Sequence, residues 1–338
     1  MVAPVAVDVF LLAGRFPGTD DAAALRHALA YGAAAEAAGF GGAWVAEHHF
    51  IPYGVIPSAT AFAGHLLGRT RTLRVGTAAC LLSVRHPVAL AEEAVLLDEL
   101  SGGRFDLGVA RGGPWVDLEV FGAGDAGYAP AGFAEALDVL GAWLSGRARV
   151  GGAGPRFAFR PVDVVPRPRR PVGTWVAATS AGTAALAAAR GLPLLLGLHA
   201  PAAAHAELLA GWAAAARAHG HDPAGAPHAA AHLAYVADSR DEAVAAVRAA
   251  LPGWVATTGA YVRLDGEQGG SRDPAGYAER LLDLHPVGPP AYCVEVLRRS
   301  LAVSGARRLL LLVEAAGDPA LTLANIARLG AEVLPALR

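Results

Sequence analysis

Short apolar runs alternate with longer, alanine-rich amphipathic stretches along the whole chain. Short apolar runs are typical of strands in a parallel sheet, and the amphipathic stretches between them are typical of helices that cover both faces of that sheet. We predict eight strands, at Val5–Leu12, Gly42–Glu47, Leu73–Leu81, Phe105–Ala110, Gly173–Ala177, Leu192–Leu196, His232–Ala237 and Arg308–Val313. The predicted helices lie near Ala22–Ala38, Ser58–Leu67, Pro87–Leu100, Ala131–Leu144, Ala181–Arg190, Pro201–His219, Ser239–Leu251 and Pro319–Leu334. This eightfold alternation predicts an α/β fold, a closed (β/α)8 TIM barrel.

Three segments are longer than barrel connections require. They cover about 112–130, 146–170 and 254–288, and all are rich in Gly, Pro or polar residues. We interpret them as loop insertions at the C-terminal rim of a single domain over residues 1–338, where extra loops usually serve binding. The polar stretch from Val262 to Gly276 is interpreted either as a lid or as a disordered loop.

Composition limits the possible partners and compartments. The 338 residues are 54% hydrophobic and 17% charged, and all 28 basic residues are arginines, set against 30 acidic ones for a net charge of -2. No basic stripe is present, so nucleic acid is not an expected partner. Cys80 and Cys293 have no metal or disulfide spacing, which favours a reducing, cytoplasmic compartment. Val5–Ala13 is too short to span a bilayer, and no membrane association is expected.

The candidate catalytic residues stand where the second strand ends. Glu47, His48 and His49 follow an apolar run, and in a barrel the carboxyl end of a strand is the rim at which chemistry takes place. Side chains alternate along a strand, so His48 should face away from Glu47 and His49. A nearby carboxylate can tune an imidazole for proton transfer, although polar side chains bonded to backbone carbonyls would also explain the cluster. Adjacent histidines project oppositely, so no metal site is predicted.

Two further blocks predict an anion site. Arg111 follows the fourth strand and is succeeded by two glycines, a combination that lets backbone and guanidinium approach a phosphate. Thr179, Ser180 and Thr183 surround the start of the fifth helix, whose amino-terminal N–H groups favour a phosphate. A surface ion pair for Arg111 and simple capping by Thr179 or Ser180 are the competing explanations.

An ordered series of motifs carries a family resemblance. The series consists of Ala46–Phe50 (AEHHF), Arg74–Ala79 (RVGTAA), His86–Val88 (HPV), Leu97–Phe105 (LDELSGGRF), Ala110–Gly112 (ARG), Ala189–Pro193 (ARGLP) and Ala324–Ile326 (ANI). In this order the motifs resemble the bacterial luciferase-like flavin-dependent monooxygenases, over nearly the whole chain. Each motif is weak alone, but their order is highly specific.

The resemblance implies a barrel that binds reduced FMN as a co-substrate at its C-terminal rim. There O2 adds to the flavin to form a peroxide that oxygenates a small organic substrate. By the resemblance His48 is the catalytic histidine, with His49 and Glu47 supporting it. A separate flavin reductase is implied as the source of reduced FMN, and a homodimer is implied as well.

The resemblance also assigns cofactor positions. Arg111, Ser180 and Thr183 correspond to the phosphate-binding residues, and Ala78–Ala79 corresponds to a non-prolyl cis peptide bond beside the flavin ring. The chain departs from luciferase at three places, because Ala110 replaces a reactive cysteine, Thr179 replaces a glutamate near the phosphate, and Leu198–His199 replaces an aromatic after the sixth strand. Light emission with a fatty aldehyde is therefore not inferred.

Two alternatives remain open at this stage. Related barrels use a deazaflavin for hydride transfer, so a deazaflavin-dependent oxidoreductase is the second enzymatic hypothesis. The third hypothesis is a non-catalytic flavin-binding subunit. A role in bacterial secondary metabolism is a further expectation, drawn from the arginine-only composition of the chain.

Overall fold

The computed structural model describes residues 5–112, 115–124, 129–260 and 273–338. Its core is a closed parallel barrel with strand order β3-β2-β1-β13-β10-β9-β8-β5-β4, closed by pairing of Val75 in β3 with Phe105 in β5. The strands are β1 (Ala6–Leu11), β2 (Gly42–Val45), β3 (Arg74–Thr77), β4 (Cys80–Leu81), β5 (Phe105–Ala110), β6 (Arg149–Ala153), β7 (Ala158–Asp163), β8 (Gly173–Ala177), β9 (Leu194–Leu196), β10 (Ala229–Leu233), β11 (Tyr235–Val236), β12 (Val287–Gly288) and β13 (Arg308–Leu312). The predicted (β/α)8 barrel is confirmed.

Helices cover the outside of this barrel. They are α1 (Asp21–Ala37), α2 (Ala59–Arg69), α3 (Pro87–Ser101), α4 (Trp115–Val120), α5 (Pro130–Leu144), α6 (Ala181–Ala188), α7 (Ala202–Ala218), α8 (Arg240–Ala256), α9 (Pro274–Leu284), α10 (Pro290–Ser304), α11 (Pro319–Arg328) and α12 (Leu334–Leu337), with a π-helical turn at Leu329–Val333. Ser58 and Ser180 are N-caps as their sequence contexts predict, and Pro87 occupies the first turn of α3.

Several element predictions need correction. The predicted strand Leu73–Leu81 is two strands, β3 and β4, separated at the Ala78–Ala79 bond. The predicted strand His232–Ala237 begins earlier and is divided into β10 and β11, because the chain leaves the barrel wall to pair with β12. Helices α9 and α10 were not predicted, since the polar stretch before α9 and the proline pairs obscured their helical periodicity.

The three insertions are placed differently around the barrel. Segment 112–130 follows β5 at the C-terminal rim and contains α4. Segment 146–170 joins α5 to β8, so it leaves from the opposite end of the barrel, and its β6–β7 hairpin packs against α5 through bonds from Arg156 and Phe157 to Glu135. In 254–288 the structure describes α9, whereas 261–272, which hold most of the proposed lid, lie outside the described residues.

A polar floor fills the amino-terminal half of the barrel. The Asp8 carboxylate accepts a hydrogen bond from the Trp44 indole at 2.8 Å and pairs with Arg308, whose guanidinium lies over the rings of Trp44 and Trp175. Burial raises the pKa of Asp8, and Arg308 opposes that shift. This buried polar cluster lies toward the amino-terminal ends of the strands, opposite the carboxyl ends that the predicted site residues follow.

One helical stretch, Pro319–Leu337, is long and apolar enough to cross a bilayer by length and composition, and 39% of its apolar window is buried inside the protein. In this fold it belongs to the outer helical layer. Thr322, Asn325 and Ile326 form its buried face, and the Asn325 amide donates to the Ala234 carbonyl at 2.9 Å. A core-facing helix of this kind meets the same length criterion as a membrane span.

Candidate active site

The predicted site residues lie on one arc of the rim. Strands β2, β3, β5 and β8 are consecutive around the barrel. His48 follows β2, Ala78 follows β3, Arg111 follows β5 and Ser180 follows β8. The fold therefore brings together, at neighbouring strand ends, residues that are up to 132 positions apart in sequence.

His48 is enclosed on the inner side of the rim. Its ring meets the Tyr53 ring edge-on at 5.3 Å, and its Nδ1 is buried with no hydrogen-bond partner among the described residues. A Cβ on Gly54 would lie 2.7 Å from that Nδ1 and 2.7 Å from the Leu12 carbonyl oxygen, so only glycine fits there. Burial, followed by repulsion from His49, lowers the pKa of His48 to about 4. At neutral pH the ring is uncharged and can accept a proton.

Glu47 and His49 lie on the other side of the chain, as strand alternation predicts. The Glu47 carboxylate accepts hydrogen bonds from the N–H groups of Ala59 and Leu81, both at 3.0 Å. It is also 3.5 Å from the Arg85 guanidinium and 3.8 Å from His49 Nε2. Burial alone would raise the pKa of Glu47, but His49, the two backbone hydrogen bonds and Arg85 together lower it below its usual value. Glu47 is thus a buried anion that joins β2, β4 and α2.

Asp117 is a candidate functional residue that the sequence analysis missed. It lies on α4, is 1% exposed, and both carboxylate oxygens are buried without a hydrogen-bond partner in the described part of the chain. Burial raises its pKa to about 6, while nearby His49 opposes the shift. The ring of Phe121, which follows α4, lies 4.9 Å from the His49 ring. The only sequence signal was an acidic residue within the predicted loop insertion at about 112–130.

The mouth beside His48 is lined by small side chains. The Ala78–Ala79 peptide bond is cis, at the position that the family resemblance implies, and the Ala78 N–H donates to the Val45 carbonyl at 2.7 Å. Ala78, Ala110 and Ala177 are partly buried against the apolar cluster inside the barrel. The side chains at these three strand ends are therefore single methyl groups.

The predicted anion-binding residues lie on neighbouring strand ends. Pairing of Val109 with Val176 continues toward Arg111 on one strand and the α6 start on the other. Ser180 Oγ accepts the Thr183 N–H at 3.4 Å and lies 3.2 Å from Thr183 Oγ1, while Ser180 itself is exposed.

The backbone at Gly112, the residue after Arg111, supports the candidate anion site. Gly112 has a φ of +84° and passes so close to Ser83 that an added Cβ would lie 2.8 Å from Ser83 Oγ. That hydroxyl is buried with no partner among the described residues, so Ser83 joins the candidate anion site as a residue that the sequence analysis did not identify.

Glu314, just past β13, is a third residue that the sequence analysis missed. It is 3% exposed and accepts the Leu12 N–H at 2.8 Å, together with hydrogen bonds from the N–H groups of Ala13 and Gly14. Burial raises its pKa to about 7 against those hydrogen bonds. The Ala13 carbonyl in turn accepts the Val55 N–H at 3.1 Å, which connects Glu314 to the segment that covers His48.

Solved structures of other proteins share this fold. The monooxygenase RslO1 from Streptomyces bottropensis has a TM-score of 0.85 at 22% identity, covering 98% of this chain and 99% of that one. The oxygenating constituent of 3,6-diketocamphane monooxygenase from Pseudomonas putida, solved with FMN, has a TM-score of 0.80 at 19% identity, covering 98% of both chains. An F420-dependent secondary alcohol dehydrogenase has a TM-score of 0.79 at 19% identity, covering 99% of both chains. At these identities the likeness shows the fold alone.

Sequence comparison identifies the family. The alkanal monooxygenase alpha chain of the Kryptophanaron alfredi symbiont is 27% identical over 355 aligned positions, which cover 97% of each protein. The family model described as luciferase-like monooxygenase matches residues 5–308, about nine tenths of the chain. This protein therefore belongs to the luciferase-like monooxygenase family.

Proposed function

We propose that this protein is a reduced-FMN-dependent monooxygenase of a two-component system that oxygenates a small organic substrate. The observation that carries the proposal is the enclosed, uncharged imidazole of His48 on the same rim arc as the candidate anion site at Arg111 and Ser180. A flavin mononucleotide has a flat ring and a phosphate tail, and this arc offers small side chains for the ring and polar groups for the tail.

In this proposal the rim residues have separate roles in binding FMN and in proton transfer. Arg111, Ser180 and Thr183 would hold the phosphate, and Thr179 is exposed beside them, while Ala78–Ala79 would contact the ring. Bound reduced flavin supplies two electrons to O2, so that one oxygen atom enters the substrate and the other leaves as water. The protein's own contribution is to position the substrate, exclude water and accept a proton on His48.

Glu47 and His49 hold the rim segment that carries His48. Because Glu47 joins two strands and a helix, the backbone on either side of His48 is fixed before any ligand binds. We include His49 because its imidazole lies 3.8 Å from the Glu47 carboxylate and acts electrostatically on Asp117, so it couples two buried carboxyl groups beside His48.

The proposal extends to the partners. A separate reductase would supply reduced FMN, because the G-x-G-x-x-G sequence at 122–127 follows the short helix α4 and not an early strand, as a nicotinamide-binding motif would. A homodimer formed through α2 and α3 is supported by two exposed leucines four residues apart on α3, Leu96 at 50% and Leu100 at 79% exposure. Sedimentation of the wild type and of Leu100→Glu tests the dimer. A cytoplasmic location and a role in secondary metabolism complete the proposal.

The decisive experiment compares His48→Ala with wild type. FMN affinity should stay within about twofold, because no phosphate contact is removed, whereas product formation should fall by about 10²- to 10⁴-fold, the usual range for a lost acid–base group. Exposed His219→Asn is the matched control. O2 uptake and hydrogen peroxide release are measured with enzymatically reduced FMN. Unchanged product yield in His48→Ala would remove the assignment.

Deazaflavin-dependent hydride transfer is the second candidate, favoured by the shared fold of the F420-dependent dehydrogenase. An uncharged histidine at the mouth also suits the proton transfer that accompanies reduction of a carbonyl. Anaerobic turnover with reduced F420 and none with reduced FMN under O2 would establish this function instead. A non-catalytic subunit is disfavoured, since His48 and Asp117 bury atoms that have no hydrogen-bond partner among the described residues, which lowers stability without serving the fold.

A further inference from the structure

A second pair of polar side chains lies across the mouth from His48. His199 follows β9, and β9 is four strand positions from β2 in the eight-stranded barrel, so the two histidines start from opposite sides of the rim. Tyr277, in the first turn of α9, shares a hydrogen bond between its hydroxyl and His199 Nδ1, and their rings lie 5.9 Å apart.

Tyr277 also reaches toward the catalytic side of the mouth. It packs against the apolar cluster inside the barrel, and so does Tyr53. Burial raises the pKa of Tyr53, and electrostatic repulsion from Tyr277 adds to the shift. Since the Tyr53 ring lies 5.3 Å from the His48 ring, and His199 and His48 follow opposite strands, Tyr277 and His199 lie across this apolar cluster from His48.

A buried hydrogen-bond chain fixes the position of His199. The Leu198 carbonyl accepts from His285 Nε2 at 2.8 Å, His285 Nδ1 lies 3.2 Å from His232 Nδ1, and His232 Nε2 lies 3.0 Å from Ser300 Oγ. One assignment of protons satisfies every atom, with Ser300 donating to His232, His232 to His285, and His285 to Leu198. Burial lowers the pKa of both histidines, which keeps this neutral chain intact at pH 7.

The chemistry of the pair matches an oxygen-bearing substrate. A phenol hydroxyl both donates and accepts hydrogen bonds, and a neutral imidazole exchanges its roles by changing tautomer. The pair can therefore adapt to a hydroxyl or a carbonyl group. The half-buried Tyr53 ring adjoins the pair, and it is backed by the buried Trp254 ring, which stacks on it at 4.5 Å. A flat apolar body suits such a surface.

We propose that Tyr277 and His199 determine substrate specificity by hydrogen bonding to the hydroxyl or carbonyl oxygen of a flat, apolar substrate. The inference rests on the proposed function, because it assigns the side of the barrel mouth opposite His48 to the substrate. Loss of a hydrogen-bond partner at a site built for an oxygen atom discriminates strongly against analogues that lack it.

The test compares two probes of equal shape, 2-naphthol and 2-methylnaphthalene, by calorimetry on the full-length protein with and without FMN. Wild type should bind 2-naphthol at least about tenfold more tightly, since about 1.4 kcal/mol of hydrogen bonding is a factor of ten. Tyr277→Phe and His199→Phe should each abolish most of that preference without changing FMN affinity. Tyr292→Phe is the matched control, because Tyr292 lies on α10, where its ring packs under the Arg240 guanidinium.

Each other outcome overturns the inference. If wild type binds the probes equally, or binds neither, the pair does not recognise an oxygen atom of this substrate class. If Tyr277→Phe weakens both probes by the same factor, the pair only anchors α9. A wild type that binds no FMN refutes the proposed function, yet the naphthol comparison without FMN still decides the role of the pair.

Discussion

Replacing Glu47 by Gln tests whether a buried carboxylate organises the rim. The side chain is 4% exposed and accepts the N–H groups of Ala59 and Leu81 with its two oxygens. A glutamine of the same shape can accept only one of these bonds, because its amide nitrogen would face the other donor. The substitution also removes the negative charge beside Arg85.

The expected loss of stability follows from these contacts. Leaving one buried N–H without an acceptor costs about 1–3 kcal/mol. Removing one partner of a buried ion pair costs about 3–5 kcal/mol when the other charge is left alone. Arg85 keeps Glu93, however, with contacts of 2.8 and 2.6 Å, so its charge stays compensated. The hydrogen-bond loss therefore dominates, and we expect the free energy of unfolding to fall by about 2–3 kcal/mol.

Urea denaturation at pH 7 measures this loss, followed by tryptophan fluorescence. Glu279→Gln is the matched control, because its exposed pair with Arg248 should leave the urea midpoint unchanged. The folded pKa of Glu47 is lowered, so its contribution is complete above the unfolded value near 4.3 and is lost as the pH falls through the folded pKa. The gap between wild type and Glu47→Gln should shrink in acid. Equal midpoints at pH 7, or a gap that widens below pH 4, would refute the reasoning.

Three further predictions follow from single residues. Arg111→Ala should raise the FMN dissociation constant about 10- to 100-fold, the worth of one charge-assisted hydrogen bond, in a fluorescence titration; an unchanged constant would place the phosphate elsewhere. The raised folded pKa of Asp117 means that stability should increase as the pH falls through about 6, and Asp117→Asn should flatten that dependence in urea midpoints measured from pH 8 to 5. Gly108→Ala should prevent folding to the native state, because its Cβ would lie 2.0 Å from the Thr77 carbonyl oxygen, and a normal circular-dichroism melt would contradict this.

The sequence alone determined the features that depend on local periodicity. Alternating apolar strands and amphipathic helices were enough to predict the barrel, because each strand of a parallel sheet must be buried on both faces. Strand alternation likewise predicted that the His48 side chain faces away from those of Glu47 and His49. The helix starts at Ser58 and Ser180 followed from their hydroxyl groups, which satisfy local N–H donors.

Only the tertiary structure decided which polar groups are buried together. Asp117 and Glu314 look like ordinary acidic residues in sequence, and their raised pKa values arise from burial against segments far away in the chain. The contact of His199 with Tyr277 joins residues 78 positions apart, which no local pattern encodes. Periodicity specifies which face of an element is buried, whereas the partner that meets that face depends on how the whole barrel closes.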